Sequence, residues 1–180
     1  PLYSSAASDV YKRQELLPYR REAAEAYARY WAYGRNPDFY DYEAIGGDCT
    51  NFASQCIYAG TGIMNFTPTF GWYYISADDK APAWTGVVYL HNFLIRPEPS
   101  PGPVCTVTQD LTLAEPGDVI QLIFKGDIFQ HSPVVIANDG SGEPSGIQIA
   151  AHSYDANCRP LSSYEYQQYR VLHILGYYTD

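Results

Sequence analysis

Positive charge is scarce in this sequence of 180 residues. Eleven lysines and arginines stand against 20 aspartates and glutamates, which gives a formal net charge of −9 at pH 7. Nucleic acids and anionic lipid surfaces are bound through clustered positive charge. We therefore expect no nucleic-acid partner and no binding to anionic membrane surfaces.

Long hydrophobic runs are absent, and cysteine is rare. No stretch approaches the roughly 20 apolar residues that a transmembrane helix needs, so we expect no insertion into a membrane. The four cysteines, at positions 49, 56, 105 and 158, are too few for a disulfide scaffold in a chain of this length. None of them forms the CxxC pair of a structural zinc site, and we expect neither a metal nor another cofactor. A disulfide between Cys105 and Cys158 stays open, because sequence does not decide the pairing.

Apolar residues make up 46% of the chain and aromatic residues 16%, which predicts a folded core. Residues 1–14, PLYSSAASDVYKRQ, show no periodicity and no signal-peptide core, and they resemble a translated adapter sequence. We expect a non-native extension over 1–14 and a single domain over 15–180. The native N-terminus, with any export signal, would then lie outside this sequence. An extracellular or cell-envelope location is expected, and the cytoplasm stays open.

Helical and extended patterns occupy different halves of the chain. Apolar residues spaced three and four apart predict a first helix that starts at Pro18 and is closed by Gly34 with Asn36-Pro37, and a second helix from Cys49 that ends at Gly60. A third helical segment follows over 84–94. Short apolar runs between turn residues then predict strands over 118–124, 131–137, 146–151 and 169–176. Helices followed by strands indicate an α+β fold, with N-terminal helices packed on a C-terminal antiparallel sheet.

The segment 46–52, GGDCTNF, is the sharpest candidate site. Its two glycines predict a tight turn, Asp48 is a typical N-cap, and Cys49 falls in the first turn of the helix. Free amides and the helix dipole stabilise an anion there, so we expect the pKa of the thiol to be lowered. The same amides can hold a developing oxyanion, with Tyr42 and Asn51 as candidates for a second donor, although capping or bracing the loop before the helix is the favoured role of Asn51. A buried structural cysteine is the alternative interpretation.

A cysteine nucleophile needs a general base and a group that orients it. Two of the four histidines, His91 in a helical stretch and His173 in an apolar run, stand where packing or surface roles are typical. His131 opens the run HSPVVIA after a Gly-Asp loop, and His152 ends the run IQIAAH. Adjacent strands would place these last two rings side by side.

Several motifs occur in a recognisable order between residue 19 and about residue 178. They are GDCTNFASQC, AWTGVVYLHNFL, PGDVIQL, HSPVVIA and AAHSYD. This ordered set resembles the "Putative amidase domain" family within the papain-like, NlpC/P60-type clan of cysteine hydrolases. The resemblance implies a papain-like fold with Cys49 as nucleophile and His131 as general base and acid. It implies His152 as the residue that fixes the His131 ring, with Asp155 and Asn157 as competitors for that role.

By the same resemblance, the predicted function is a cysteine-dependent hydrolase that cleaves a peptide-type amide bond through a thioester. The expected partner is a peptide or peptidoglycan-like substrate of bacterial cell walls, and the expected state is a monomer. Two alternatives remain: a thiol acyltransferase on the same fold, and an inactive aromatic-rich binding module. Aromatic residues that could line a binding groove, or belong to the core, are Trp72, Tyr73, Tyr74 and Trp84.

Overall fold

The structure is a computed structural model that describes residues 15–179, so the predicted adapter-like segment 1–14 lies outside the described residues. The helices are α1 (Arg21–Trp31), α2 (Cys49–Thr61), α3 (Pro82–Thr85) and α4 (Val87–Leu94). The strands are β1 (Gly102–Thr108), β2 (Val119–Ile123), β3 (Val134–Asn138), β4 (Ile147–Ala151), β5 (Ala156–Pro160) and β6 (Gln168–Tyr178). No helix within 15–179 is long and apolar enough to cross a membrane.

The six strands form one antiparallel sheet in the order β1-β6-β2-β3-β4-β5. Side chains alternate between its two faces, as the period of a strand requires. Val134 packs with the helices, whereas its neighbour Val135 packs on the opposite face. The helical core contains Ala24 and Ala28 from α1 and Phe52 from α2. The predicted α+β architecture, with helices against an antiparallel sheet, is therefore confirmed.

Helix boundaries differ from the predicted ones for identifiable reasons. Helix α1 begins at Arg21 because the chain before it runs beside β6, where Leu17 bridges Tyr177. Helix α2 continues through Gly60 and closes at Gly62, which adopts the left-handed conformation (φ 69°). Gly60 serves packing instead: a Cβ there would overlap the ring of Tyr19. The predicted third helix is interrupted at Gly86, between α3 and α4.

Both edge strands, β1 and β5, were absent from the sequence prediction. Their residues are mixed in burial and include prolines, which edge strands tolerate and central strands do not. These two strands carry Cys105 and Cys158, and both thiols are free. Five strand spacings separate the edges, roughly 24 Å at about 4.8 Å each, whereas a disulfide requires Cα atoms within about 7 Å. The Cys105–Cys158 disulfide that the sequence left open is incompatible with this sheet.

A buried carboxylate joins the first helix to the sheet. Asp118 is fully buried; its Oδ1 accepts from Arg21 Nη1 at 2.7 Å and from the Ile174 amide at 2.9 Å. Its Oδ2 lies 2.8 Å from His173 Nδ1. Glu115 Oε2 lies 3.0 Å from Arg21 Nε and 3.9 Å from His173 Nε2. The sequence interpretation of His173 as a packing or surface residue left this ion pair unrecognised.

The His173–Asp118 contact predicts a specific pH dependence of stability. The hydrogen bond to Asp118 raises the pKa of His173 above its ordinary value. A histidine with a raised folded-state pKa stabilises the fold fully below the unfolded-state value of about 6.5, and this contribution is lost as pH rises through the folded-state pKa. Urea unfolding of the wild type should therefore lose stability relative to His173→Gln as pH rises from about 6 to 8.5.

His91→Gln is the matched control, because His91 on α4 has a lowered pKa and therefore a contribution of opposite sign. The free energy of unfolding of His91→Gln should still fall as pH rises, because this variant retains His173. Parallel stability curves for the wild type and His173→Gln would contradict the assignment.

Candidate functional site

Cys49 and His131 line the same open pocket of about 370 Å³. The pocket lies where the start of α2 meets the sheet, between the loop before the helix and the segments that precede β3 and follow β4. Its walls are built from Glu43, Gly46, Gly47, Cys49, Phe124, Gln130, His131, Ser153 and Tyr154. The fold thus brings together two of the three residues that the sequence nominated for catalysis.

The loop before α2 has the backbone that the glycine pair predicts. Gly46 and Gly47 have φ of 134° and 98°, in the region that glycine adopts without strain. Cys49 is the first residue of α2 and is 8% exposed. Ser153 closes the opposite side of the loop, because its Oγ accepts from the Asp48 amide at 2.8 Å. The predicted helix start at Cys49 is confirmed.

Burial sets the protonation of the nucleophile candidate, contrary to the expectation from the helix end. The Thr50 hydroxyl, 3.7 Å from the sulfur, and the amides of Thr50 and Ser132 favour the thiolate. Desolvation outweighs them and raises the pKa of Cys49 above its ordinary value. The predicted lowering of this pKa is therefore wrong for the free protein.

His131 is neutral for the same reason. Burial, with a smaller contribution from the charge of Arg159, lowers the pKa of His131 to about 4. Its ring packs between Phe124 and Tyr164, with centroid separations of 5.8 and 5.6 Å. Its Nε2 is buried and has no hydrogen-bond partner among the described residues. The free site therefore holds a neutral imidazole and a protonated Cys49 thiol.

These protonation states predict how Cys49 reacts with iodoacetamide. Only the thiolate reacts, so the alkylation rate of Cys49 should rise about tenfold per pH unit between about pH 6 and 8.5, with no plateau. Mass spectrometry of the Cys49 peptide measures this rate, and Cys49→Ala identifies the signal. A plateau below pH 7 would contradict the neutral pair and indicate a thiolate–imidazolium pair.

His152 is engaged with residues other than His131. Its Nδ1 lies 2.6 Å from Asp48 Oδ2, its Nε2 lies 2.9 Å from the Trp31 carbonyl, and its ring stacks on Phe52. Both ring nitrogens of His152 are therefore engaged, and none remains for His131. The predicted role of His152, fixing the His131 ring, is corrected accordingly: His152 holds Asp48.

The two competitors for that role are also committed elsewhere. Asp155 accepts from both terminal nitrogens of Arg35 at 3.0 Å each. Asn157 donates through Nδ2 to the Arg29 carbonyl at 3.3 Å. Neither residue makes a hydrogen bond to His131, so the ring is positioned by its aromatic neighbours.

Asp48 is the centre of a buried network that sequence reasoning missed. Its Oδ1 accepts from the Tyr42 amide at 2.9 Å and from Asn51 Nδ2 at 2.8 Å, while Oδ2 faces His152. Asp48 occupies the N-cap position, but its side chain makes no capping hydrogen bond to α2. The signal in the sequence was the Asp-Cys-x-Asn spacing, because residues 48 and 51 are one helical turn apart.

The side chains considered as second oxyanion donors are already in use. Tyr42 Oη donates to the Ala77 carbonyl at 2.9 Å, and Asn51 Nδ2 donates to the Tyr40 carbonyl at 2.9 Å as well as to Asp48. Amides in the first turn of a helix have no acceptor within that helix, so the backbone at the start of α2 remains a source of donors.

The tryptophans proposed for a binding groove belong to the core. Trp72 and Trp84 are fully buried, and their indole nitrogens donate to Ser54 Oγ and Asn51 Oδ1. The pocket takes its aromatic surface instead from Phe124 and Tyr154. Tyr154 closely follows His152 in the sequence, and Phe124 ends the run before the loop that carries His131, so position near a candidate was the available signal.

The fold and the pocket define an α+β domain that presents a cysteine and a histidine on one open site. The chain belongs to the "Putative amidase domain" family, whose model matches residues 18–175. Membership in this family indicates an amidase-type hydrolase. The roles that the NlpC/P60-type clan implies for individual residues of this chain remain a matter of resemblance.

A curated relative from Bacillus subtilis (strain 168), "Uncharacterized protein YhbB", is 29% identical over 160 residues. The alignment covers 87% of this chain and 49% of the relative. The chain thus spans about half the length of the curated relative that it matches. No solved structure matches the chain.

Proposed function

We propose that this protein is a cysteine-dependent amide hydrolase of papain-like architecture within the NlpC/P60-type clan. One observation carries the proposal: Cys49, at the start of α2, lines the same pocket as His131, whose Nε2 has no hydrogen-bond partner among the described residues. A nucleophile and a base on one solvent-open wall are the minimum that acyl transfer requires. Membership in the amidase family supports the reaction class.

The proposed reaction begins from the neutral pair. The Cys49 sulfur attacks the amide carbonyl carbon while His131 Nε2 accepts the thiol proton, and backbone amides at the start of α2 hold the oxyanion. The carbon–nitrogen bond then breaks, and the proton on His131 goes to the leaving amine. Water attacks the remaining thioester with His131 as base, which releases the acid and restores the thiol.

Asp48 and His152 act in this proposal by positioning Cys49. Asp48 immediately precedes Cys49 and is held by three hydrogen bonds to its carboxylate. This network immobilises the loop and the first turn of α2, which reduces the freedom of the sulfur relative to the pocket. We propose no direct contact between His152 and the substrate.

For the substrate class we propose peptide-type amides, including peptidoglycan-like peptides of bacterial cell walls. The support is the resemblance to the clan, which is an argument by analogy. An extracellular or cell-envelope location and a monomeric state are part of the same proposal. The activity of a full-length relative twice as long is a separate question.

The test is digestion of purified muropeptides and of a peptide library in water enriched in oxygen-18, followed by mass spectrometry. We expect new amines paired with new carboxylic acids that carry the label, and no products with Cys49→Ala. Transfer of the acyl group to added glycinamide in preference to water would indicate an acyltransferase. Equal product formation by the wild type and Cys49→Ala would overturn the proposal.

An inactive binding module is the second candidate, and one observation favours it. The free site holds a neutral thiol and a neutral imidazole with no hydrogen bond between them. If neither the muropeptides nor the peptide library yields products, while muropeptides bind with measurable affinity, the binding module replaces the hydrolase as the proposed function.

A further inference from the structure

Arg159, on the edge strand β5, presents an unpaired positive charge beside the candidate active site. Its guanidinium lies 3.7 Å from the ring centroid of Tyr164. Its Nε donates to Ser163 Oγ at 2.7 Å and its Nη2 donates to the Ser163 carbonyl at 3.1 Å. Among the described residues, no carboxylate forms an ion pair with it. One terminal nitrogen, Nη1, therefore keeps its hydrogens available.

Three other arginines of the described residues are paired with carboxylates. Arg21 contacts Glu115 and Asp118, Arg29 contacts Glu25, and Arg35 contacts several carboxylates. Arg20, Arg96 and Arg170 likewise have no carboxylate partner among the described residues, but their guanidinium groups donate to backbone carbonyls or to Gln121 Oε1. What sets Arg159 apart is its place on the ring of Tyr164, next to His131. Arg159 thus leaves a positive charge free for an anionic group that is not part of this chain.

Tyr164 connects that charge to His131, one of the residues that line the pocket. Its ring lies 5.6 Å from the His131 ring, the residue is only 9% exposed, and its hydroxyl has no hydrogen-bond partner among the described residues. Burial raises the pKa of Tyr164, and Arg159 opposes this effect. The hydroxyl is therefore a buried donor without a partner in the described part of the chain, on a ring that packs against His131.

We propose that Arg159 and Tyr164 bind a carboxylate that the substrate carries next to the bond that is cut. A guanidinium matches the planar geometry of a carboxylate, and a tyrosine hydroxyl supplies a further donor. Peptides with a terminal carboxylate or an acidic side chain beside the scissile amide have this chemistry. The inference rests on the proposed function only in taking Cys49 as the reacting group.

A purely structural role for Arg159 is the competing explanation. The residue packs on Tyr164 and helps to keep His131 neutral, and both effects alter the reactivity of Cys49 toward every reagent alike. Carboxylate binding alters reactivity only toward reagents that carry a negative charge. Two matched pairs of alkylating agents therefore separate the explanations.

The experiment compares iodoacetate with iodoacetamide, and bromoacetylglycine with bromoacetylglycinamide. The two reagents of a pair react through the same carbon, but one carries a carboxylate where the other carries a carboxamide. Rates are measured by mass spectrometry of the Cys49 peptide, in a Cys158→Ser background that removes the exposed thiol beside Arg159. The measured quantity is the ratio of the acid rate to the amide rate, in which the intrinsic reactivity of Cys49 cancels.

We expect Arg159→Gln to lower this ratio by about tenfold in at least one pair, the effect of losing one charge-assisted hydrogen bond. Tyr164→Phe should lower it less, and Arg159→Lys should retain part of it. Lys125→Gln is the control for net charge, since it removes a positive charge from the turn after Phe124, and the hydrogen bonds of Lys125 to the pocket residue Gln130 are made by its backbone. Equal ratios in Arg159→Gln and Lys125→Gln for both pairs would overturn the proposal.

This experiment does not require turnover. If Arg159→Gln lowers the ratio of acid to amide rates but the wild type hydrolyses nothing, the carboxylate site is retained and the hydrolase is rejected. If the ratio is unchanged but the wild type is an active hydrolase, the carboxylate site is rejected and the hydrolase is retained. If Arg159→Gln does not fold, the comparison of Arg159→Lys with Lys125→Gln decides the question.

Discussion

Replacing Cys49 by alanine should reduce hydrolysis by about a thousandfold or more, with little loss of stability. Removing a nucleophile eliminates the covalent path and leaves only binding and the oxyanion donors. The sulfur lies at a pocket wall, so its loss should change the free energy of unfolding by about 1 kcal/mol or less. Initial rates on the substrate identified by muropeptide and peptide digestion, with urea unfolding alongside, measure both quantities.

Cys56→Ala is the matched control for this prediction. Cys56 lies on the same helix two turns later and is fully buried, and it does not line the pocket. Its replacement should destabilise the fold more than Cys49→Ala while leaving turnover within a few-fold of wild type. His131→Ala should lose activity as Cys49→Ala does. Retention of more than about a tenth of the activity in either site variant would contradict the proposed mechanism.

Replacing Asp48 by asparagine should destabilise the protein by about 1–3 kcal/mol, because it leaves a buried hydrogen-bonding group of the Asp48 network without its partner. Asp48 and His152 are both within 1% of complete burial, and the carboxylate also accepts from Tyr42 and Asn51. The amide of asparagine cannot accept at both positions. Urea unfolding of the variant measures the loss.

Asp41→Asn provides the comparison for Asp48→Asn. Arg35 Nε lies 3.8 Å from Asp48 Oδ2 and 3.3 Å from Asp41 Oδ2, but the Asp41 side chain is 46% exposed, so its replacement should cost about 1 kcal/mol or less. The double variant Asp48→Asn/His152→Gln should lose less stability than the sum of the losses in the two single variants. Most of the loss in each single variant comes from leaving the other buried side chain without its partner. Additive losses would show that the two side chains do not depend on each other.

The secondary structure was predictable where local pattern and tertiary packing agree. Strands β2, β3, β4 and β6 are apolar runs between turn residues, and each was recognised. Gly60 illustrates the opposite case: glycine commonly ends a helix, but here it allows the ring of Tyr19 to pack against α2. The need for a close contact between distant residues is invisible in a local pattern.

The site was predictable to a similar extent. Asp-Cys at a helix start and a histidine opening a strand nominated Cys49 and His131, and the fold places both on one pocket. The partners of His152 depend on the side-chain direction at the end of β4 and on the carbonyl that ends α1, neither of which has a sequence signal. The pKa of Cys49 was misjudged because the helix dipole is a local property and burial is a global one.

The most direct test of the proposed function is a search for the acyl group on Cys49 during turnover. Quenching the reaction in acid and digesting the protein should give a Cys49 peptide whose mass is increased by the acyl part of the substrate, in a bond that hydroxylamine cleaves. We expect this adduct in the wild type and not in Cys49→Ala. Sustained hydrolysis with an unmodified Cys49 peptide at every time point, and with activity retained in Cys49→Ala, would contradict the account.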